Sequence, residues 1–258
     1  MKAIIGHTGF VGSNLVRQSQ YDYFYNSKNI VEIVDKTFDL LVCSGAPATK
    51  WIANQKPVED KQNIQYLIDC LQKVRAKKVI LISTVDVYIS PVEVNESTPI
   101  ILEGLHPYGS HRRELEVFIE NNFDSLIVRL PGLFGEGLKK NIIYDFISRN
   151  LLDNLHKDSV FQFYNLEHLW QDIEIARRSN LKLINIATEP TSVAEVAAIA
   201  FGKNFDRETK QAPVRYNMKT EFAKVYNCKN SDYLYDKETV LEEIKNFVVR
   251  RSLPFNSL

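Results

Sequence analysis

Residues 1–18 read MKAIIGHTGFVGSNLVRQ, and the placing of the glycines in that stretch decides the fold. The apolar run Ala3, Ile4, Ile5 stops at Gly6; glycines return at Gly9 and Gly12, and an amphipathic segment follows. Apolar run, glycine turn and amphipathic segment read as strand, turn and helix. Each glycine has its own reason. Gly6 permits the tight exit from the strand, Gly9 omits the side chain where a pyrophosphate approaches the backbone, and Gly12 lets the helix pack closely on the sheet. The start of that helix then offers unpaired N–H groups and a positive dipole end to a phosphate. Thr8, Phe10 and Val11 complete the turn and join Gly6, Gly9 and Gly12 as expected cofactor-binding residues.

Outward from the turn, the pattern alternates. Residues 21–25 (YDYFY) read as a second strand, ending at Asn26, Ser27 and Lys28. In dinucleotide-binding folds this position faces the adenosine ribose, where an acid suits NAD and neutral or basic residues accommodate the 2′-phosphate of NADP. No acid stands there, so the reading favours NADP over NAD. Residues 30–36 suit a short helix. Residues 39–43 form a buried strand, and the small residues Ser44, Gly45 and Ala46 at its end leave room for a ligand. Ile64, Leu67, Ile68 and Leu71 fall at helical spacing and predict a helix over 60–74. Residues 79–82 are an apolar run, hence a strand buried on both faces, and 126–130 read as the next strand. Between them a helix opens at Pro107 and Tyr108, with Leu115, Phe118 and Ile119 on its apolar side. Strands alternating with helices predict an α/β fold, a Rossmann-type doubly wound parallel sheet with right-handed crossovers.

Past residue 138 the alternation breaks down. Residues 141–149 and 165–177 look helical, and 181–187 look like a strand. Ser192 and Glu195 form a capping-box signature, residues 203–235 are irregular, and 237–249 carry a last amphipathic helix. The expected division is a nucleotide-binding domain over 1–135 and a smaller substrate-binding lobe over 136–258, partly interleaved with the first.

Composition narrows the function further. The 258 residues carry 32 basic and 32 acidic side chains with no basic stripe, which argues against a nucleic-acid partner. Cys43, Cys70 and Cys228 lie far apart without CxxC or metal-ligand spacing, as do the five histidines, so no metal site is expected. No signal peptide or membrane-length apolar run is legible, and the expected location is the cytoplasm, with no membrane partner.

Several landmarks recur in order: the turn from Gly6 to Gly12, the exit Gly45-Ala46, Asn63-Ile64, Ser83-Thr84 with Tyr88, Pro107-Tyr108-Gly109, and Arg129 before the 131–135 turn. Together they resemble the extended short-chain dehydrogenase/reductase superfamily, the NAD-dependent epimerase/dehydratase group, over most of the chain and most strongly over 1–135. The resemblance implies hydride transfer to or from a nicotinamide, with Tyr108 as acid/base and Thr84 holding the substrate oxygen. It adds Asn63 and Pro131 to the cofactor-binding residues. A phenol with a pKa of about 10 needs a nearby cation to ionise near neutral pH, and the family supplies a lysine four residues after the tyrosine. This chain departs from the pattern, with Arg112 at that position and no lysine between Lys78 and Lys139. Arg112 is therefore expected as the third catalytic residue and as a cofactor contact alongside Tyr108, although its planar fork is no conservative substitute.

The implied substrate is small and hydroxylated, sugar-like or a nucleotide sugar. The residues do not single out the nucleotide sugar: the asparagine used by many relatives is Gly132 here, and no arginine lies between Arg149 and Arg177. A homodimer through the helices near 60–75 and 107–121 is implied by analogy. The alternative reading is an NAD(P)-binding sensor or interaction protein with little turnover, motivated by Arg112.

Overall fold

The computed structural model describes residues 1–228 and 232–252. Six strands form one parallel sheet: β1 (Lys2–Ile5), β2 (Tyr23–Tyr25), β3 (Leu40–Cys43), β4 (Val79–Thr84), β5 (Ser125–Leu130) and β6 (Leu183–Asn185). Their spatial order is β2-β1-β3-β4-β5-β6. After β1 the chain goes to one side for β2 and returns to the other for β3, so the order reverses between β1 and β3. That is where a crevice opens outside the carboxyl ends of such a sheet.

The helices are α1 (Phe10–Gln18), α2 (Lys50–Gln55), α3 (Pro57–Leu71), α4 (Pro107–Asn122), α5 (Ile142–Ser148), α6 (Leu169–Arg178), α7 (Val193–Phe201) and α8 (Lys237–Ser252). Alternate strand residues Ala3, Ile5, Leu41, Cys43, Val79 and Leu81 share one core with Ile64, Leu67, Ile68 and Leu71 of α3 and with Leu115 and Ile119 of α4. The intervening Ile4, Val42, Ile80, Leu126 and Val128 are equally buried on the other face, where α6 packs on β5 and α1 on α6. Each such side chain removed from water contributes about 1.5–3 kcal/mol, which is why the strands read as unbroken apolar runs.

Contacts divide the chain into two units. The first comprises Met1–Ser90, Glu96–Leu130 and Glu167–Asn185, with the parallel sheet, α1–α4 and α6. The second comprises Pro91–Asn95, Pro131–Leu166 and Ile186–Leu258. Its strands are short pairs: Gly132–Phe134 with Phe163–Asn165, Val160–Phe161 with Thr191–Ser192, and Val92–Val94 with Asn217–Met218. Gln162 ties this unit together, donating to the Met218 carbonyl at 2.7 Å and accepting from the Met218 amide at 2.7 Å. The Ser192–Glu195 capping box opens α7, and Gly202 closes it in the left-handed conformation.

Several elements differ from the sequence reading. The helix expected over 60–74 begins at Pro57, since proline at a first helical position gives up no intrahelical bond. Helix α2 was not expected at all. The helix expected over 165–177 starts at Leu169, because residues 163–165 pair as a strand instead. Within 203–235 there is a two-residue strand and a 3₁₀ turn over Ala223–Tyr226, and residues 229–231 lie outside the described residues. Among the described residues no helix is long and apolar enough to cross a membrane, and no histidine, cysteine or carboxylate cluster is placed to hold a metal.

Candidate functional site

The glycine turn sits at the β1–β3 reversal. Gly6 has φ +86°, and a Cβ there would lie 2.4 Å from the Ser44 carbonyl oxygen. A Cβ on Gly12 would lie 2.0 Å from the Gly6 carbonyl oxygen. Both glycines are therefore demanded by the packing of the turn itself. Gly9 differs: it is exposed, and a Cβ there would meet only the Gly6 carbonyl oxygen, at 3.3 Å. Its side-chain space is open. Gly9 also caps α1 without any side chain bonding the first-turn amides, those of Phe10, Val11 and Gly12. Thr8 is exposed beside it, and the Nδ1 of His7, within the turn, is buried without a hydrogen-bond partner. At the neighbouring exit of β3, a Cβ on Gly45 would lie 2.7 Å from Ile5 Cγ2, so packing requires this small residue. Ala46 follows half-buried against the core.

One strand further along the same carboxyl edge, Thr84 ends β4. Its Oγ1 accepts the Asp86 amide at 3.1 Å, and it lies close to Tyr108 on the first turn of α4. Three local features seat that turn. A Cβ on Gly109 would come within 2.1 Å of the Asp86 carbonyl oxygen, so only glycine allows α4 so near the end of β4. His106 caps α4, its Nδ1 accepting the Gly109 amide at 3.0 Å. Asn54 of α2 accepts the Tyr108 amide at 3.0 Å. Burial pushes the Tyr108 phenol above its usual range, against the opposing charge of Arg112.

Arg112 is committed elsewhere. Its Nη1 donates to Asp60 and to the Tyr108 carbonyl at 3.2 Å; its Nη2 donates to Asp60 at 2.8 Å and to the Pro47 carbonyl. Only Nε is left without a partner, and it is buried. The guanidinium carbon lies 4.0 Å from the centroid of the Tyr108 ring, over its face. Asp60 also bonds His111 at 2.7 Å. Burial raises the Asp60 carboxyl, but the hydrogen bonds and charges of Arg112 and His111 outweigh it and hold the group below its usual range. The sequence reading gave Arg112 donors for ribose hydroxyls; the structure spends four of its five N–H groups inside the protein.

Asn26 folds into the turn after β2, with Oδ1 accepting the Lys28 amide at 2.8 Å and Nδ2 at 3.3 Å from His7 Nε2, while Ser27 and Lys28 are exposed. Asn63 lies on the exposed face of α3, next to the core residue Ile64. Pro131 belongs to the second unit. Phe163 and Tyr164 are fully buried core of that unit.

Two features were missed. Lys50 of α2 stands 2.7 Å from Asp86; it lies before the tyrosine in the chain, and KWIANQ has no periodicity to announce a helix. The other is a buried network in which Glu116 of α4 receives Arg129 Nε at 3.0 Å and Nη2 at 2.7 Å, the Ser83 hydroxyl and Arg113.

This edge invites comparison with known structures. No family model and no curated protein matches the sequence. Solved structures do match, along nearly the whole chain. A UDP-N-acetylglucosamine 4-epimerase from Methanobrevibacter ruminantium is 16% identical with a TM-score of 0.72, over 96% of each chain. A UDP-glucose 4-epimerase from Thermotoga maritima is 16% identical with a TM-score of 0.70, over 98% of this chain and 100% of the other. A dTDP-4-dehydrorhamnose reductase from Clostridium acetobutylicum is 14% identical with a TM-score of 0.72, over 98% and 100%. The fold is that of the extended short-chain dehydrogenases. At these identities the likeness is one of fold, and it holds from end to end. Behind the tyrosine of this fold lies the buried Arg112–Asp60 pair.

Proposed function

We propose that the first unit binds a nicotinamide dinucleotide at the β1–β3 reversal and that the chain is an oxidoreductase or epimerase acting on a small hydroxylated, sugar-like substrate. The observation that carries this reading is the placing of Tyr108, at the start of α4, close to Thr84 at the end of β4, on the same sheet edge as a helix start that no side chain caps. The residues present fit the cofactor. The open side of Gly9 and the unpartnered His7 Nδ1 make a cradle for a pyrophosphate, with the amides of Phe10, Val11 and Gly12 as donors. Ser27 and Lys28, exposed after β2, suit the 2′-phosphate of NADP better than the bare ribose of NAD. The bound nicotinamide supplies hydride acceptance or donation. Thr84 orients the substrate oxygen, and Tyr108 takes the hydroxyl proton or returns it. Sugar nucleotides, named for the structural neighbours, are the first substrates to try. A reducing cytoplasm suits the three free cysteines, and a homodimer through α3 and α4 completes the proposal.

The test is in two stages. Fluorescence titration with NADPH and NADH reads binding, with NADPH expected to bind more tightly. Nicotinamide absorbance with UDP- and dTDP-sugars and simple carbonyls then reads turnover. Tyr108→Phe is expected to lower kcat by about 10²–10⁴-fold while leaving the dinucleotide Kd within about a factor of two. A second reading, a dinucleotide-binding sensor, is favoured by one observation: the Arg112 charge is shared with Asp60. Tight dinucleotide binding with no turnover on the whole panel would select it, and no binding of either dinucleotide would sink both.

A further inference from the structure

A buried phenol gives up its proton near neutral pH only where a cation favours the phenolate. Two cations act on Tyr108, Arg112 and Lys50. Arg112 is 3% exposed, bound on two nitrogens by the Asp60 carboxylate, and sits over the ring face. Its charge is largely met by Asp60, and its position is fixed.

Lys50, on α2, meets the surroundings of the same tyrosine through Asp86. Its Nζ lies 2.7 Å from Asp86 Oδ1, and the Asp86 amide bonds Thr84 Oγ1, close to Tyr108. The Asp86 carbonyl touches α4 at Gly109. One helical turn after Lys50, Asn54 receives the Tyr108 amide. Residues four apart share a helix face, so α2 turns a lysine and an asparagine together toward the start of α4. The Lys50 side chain is 39% exposed and so has the room that Arg112 lacks.

We propose that Lys50 is a positioning residue that adjusts the charge state of Tyr108, with Asp86 as its counter-ion, while Arg112 is a fixed charge that also ties α4 to Asp60. The proposal rests on the reading of Tyr108 as acid/base. Burial raises the phenol; the fixed charge of Arg112 draws it down most, Asp86 opposes it, and Lys50 adds to the lowering while pairing with Asp86. The His106 ring, 6.3 Å from that of Tyr108, is pushed below its usual pKa by burial and then by Lys50. In this arrangement an anionic group that drew Lys50 away from Asp86 would retune the tyrosine.

The experiment needs neither cofactor nor substrate. Protein labelled with ¹³Cζ-tyrosine is titrated by NMR, the Tyr108 resonance being the one lost in Tyr108→Phe. Lys50→Gln is expected to raise the Tyr108 midpoint by at least about half a pH unit. Lys50→Arg, which stays charged throughout, is expected to hold it at or below the wild-type value, and Asp86→Asn to lower it. An unmoved midpoint in Lys50→Gln overturns the proposal. So does an equal rise in Lys50→Gln and Lys50→Arg, which would report lost packing rather than lost charge. Because the titration is done without dinucleotide, its failure removes Lys50 alone, whereas failure of dinucleotide binding removes the functional reading and leaves the titration standing.

Discussion

Gly9 and Gly12 look alike in the sequence and are predicted to behave oppositely. A methyl at Gly12 collides with the Gly6 carbonyl at 2.0 Å, backbone against backbone, so Gly12→Ala is expected to destabilise the fold by about 1–3 kcal/mol or more. A methyl at Gly9 meets one oxygen at 3.3 Å and costs little stability, but it fills the space proposed for the pyrophosphate. Gly9→Ala is therefore expected to keep its urea midpoint and to lose at least tenfold in NADPH affinity; unchanged affinity would remove the cradle. The three glycines were legible as a pattern, while the distinction between packing and vacancy needed coordinates. Arg112 makes the same point. Its departure from lysine was plain in the sequence, but its partner Asp60 stands 52 residues away and no local pattern joins them. Asp60 also carries a pH prediction. Its native carboxyl is held below the usual range, so its stabilising share is complete above its unfolded pKa near 4 and is lost as pH falls through the lower native value. Urea unfolding of Asp60→Asn is expected to show a loss of about 3–5 kcal/mol at pH 7 and a flatter decline than wild type as pH falls below about 4.

At the level of elements, the position of α4 matters most, because it carries Tyr108. Glu116 on its buried side is 0% exposed and gathers Arg129 of β5, Ser83 of β4 and Arg113 of α4 itself. Arg129 in turn donates to the Tyr88 hydroxyl at 2.8 Å. Removing one member of such a network strands a buried charge. Glu116→Ala is expected to cost about 3–5 kcal/mol, measured by chemical unfolding, whereas the exposed ion pair of Lys56 and Glu59 is expected to be worth less than about 1 kcal/mol. Long elements with clear periodicity were readable: β1, β3, β4, β5, α3, α4 and α7 all lie where apolar spacing and caps placed them, within a few residues. What failed was short or non-local. Helix α2 has six residues, and strands such as Gly132–Phe134 and Phe163–Asn165 exist only because they pair with each other. Two or three residues leave no period to read, and the pairing energy comes from partners far along the chain.

For the molecule as a whole, the parallel sheet was legible from alternation, but its order was not, since a crossover of either kind leaves the same periodicity. The interleaving of Pro91–Asn95 and Glu167–Asn185 between units was equally hidden, because each segment owes its place to distant pairing. Assembly is the question that remains at this scale. Helices α3 and α4 pack side by side in the first unit, joined at the surface by Lys61 and Glu114 at 3.3 Å. They leave apolar side chains outward: Val58 is 69% exposed, Tyr66 51% and Val117 39%. A second copy of the same pair would cover these residues as an antiparallel or parallel bundle, the isologous arrangement that two-fold symmetry requires. A stable interface needs about 800 Å² from each partner, within reach of two helices of fifteen and sixteen residues. Sedimentation equilibrium at micromolar concentration is expected to give twice the chain mass. The double variant Val58→Glu, Tyr66→Glu places charge in the middle of the buried patch, and it is expected to sediment as a monomer with unchanged circular dichroism. Wild-type protein sedimenting as a monomer, or a variant still dimeric, would remove the α3–α4 face from consideration.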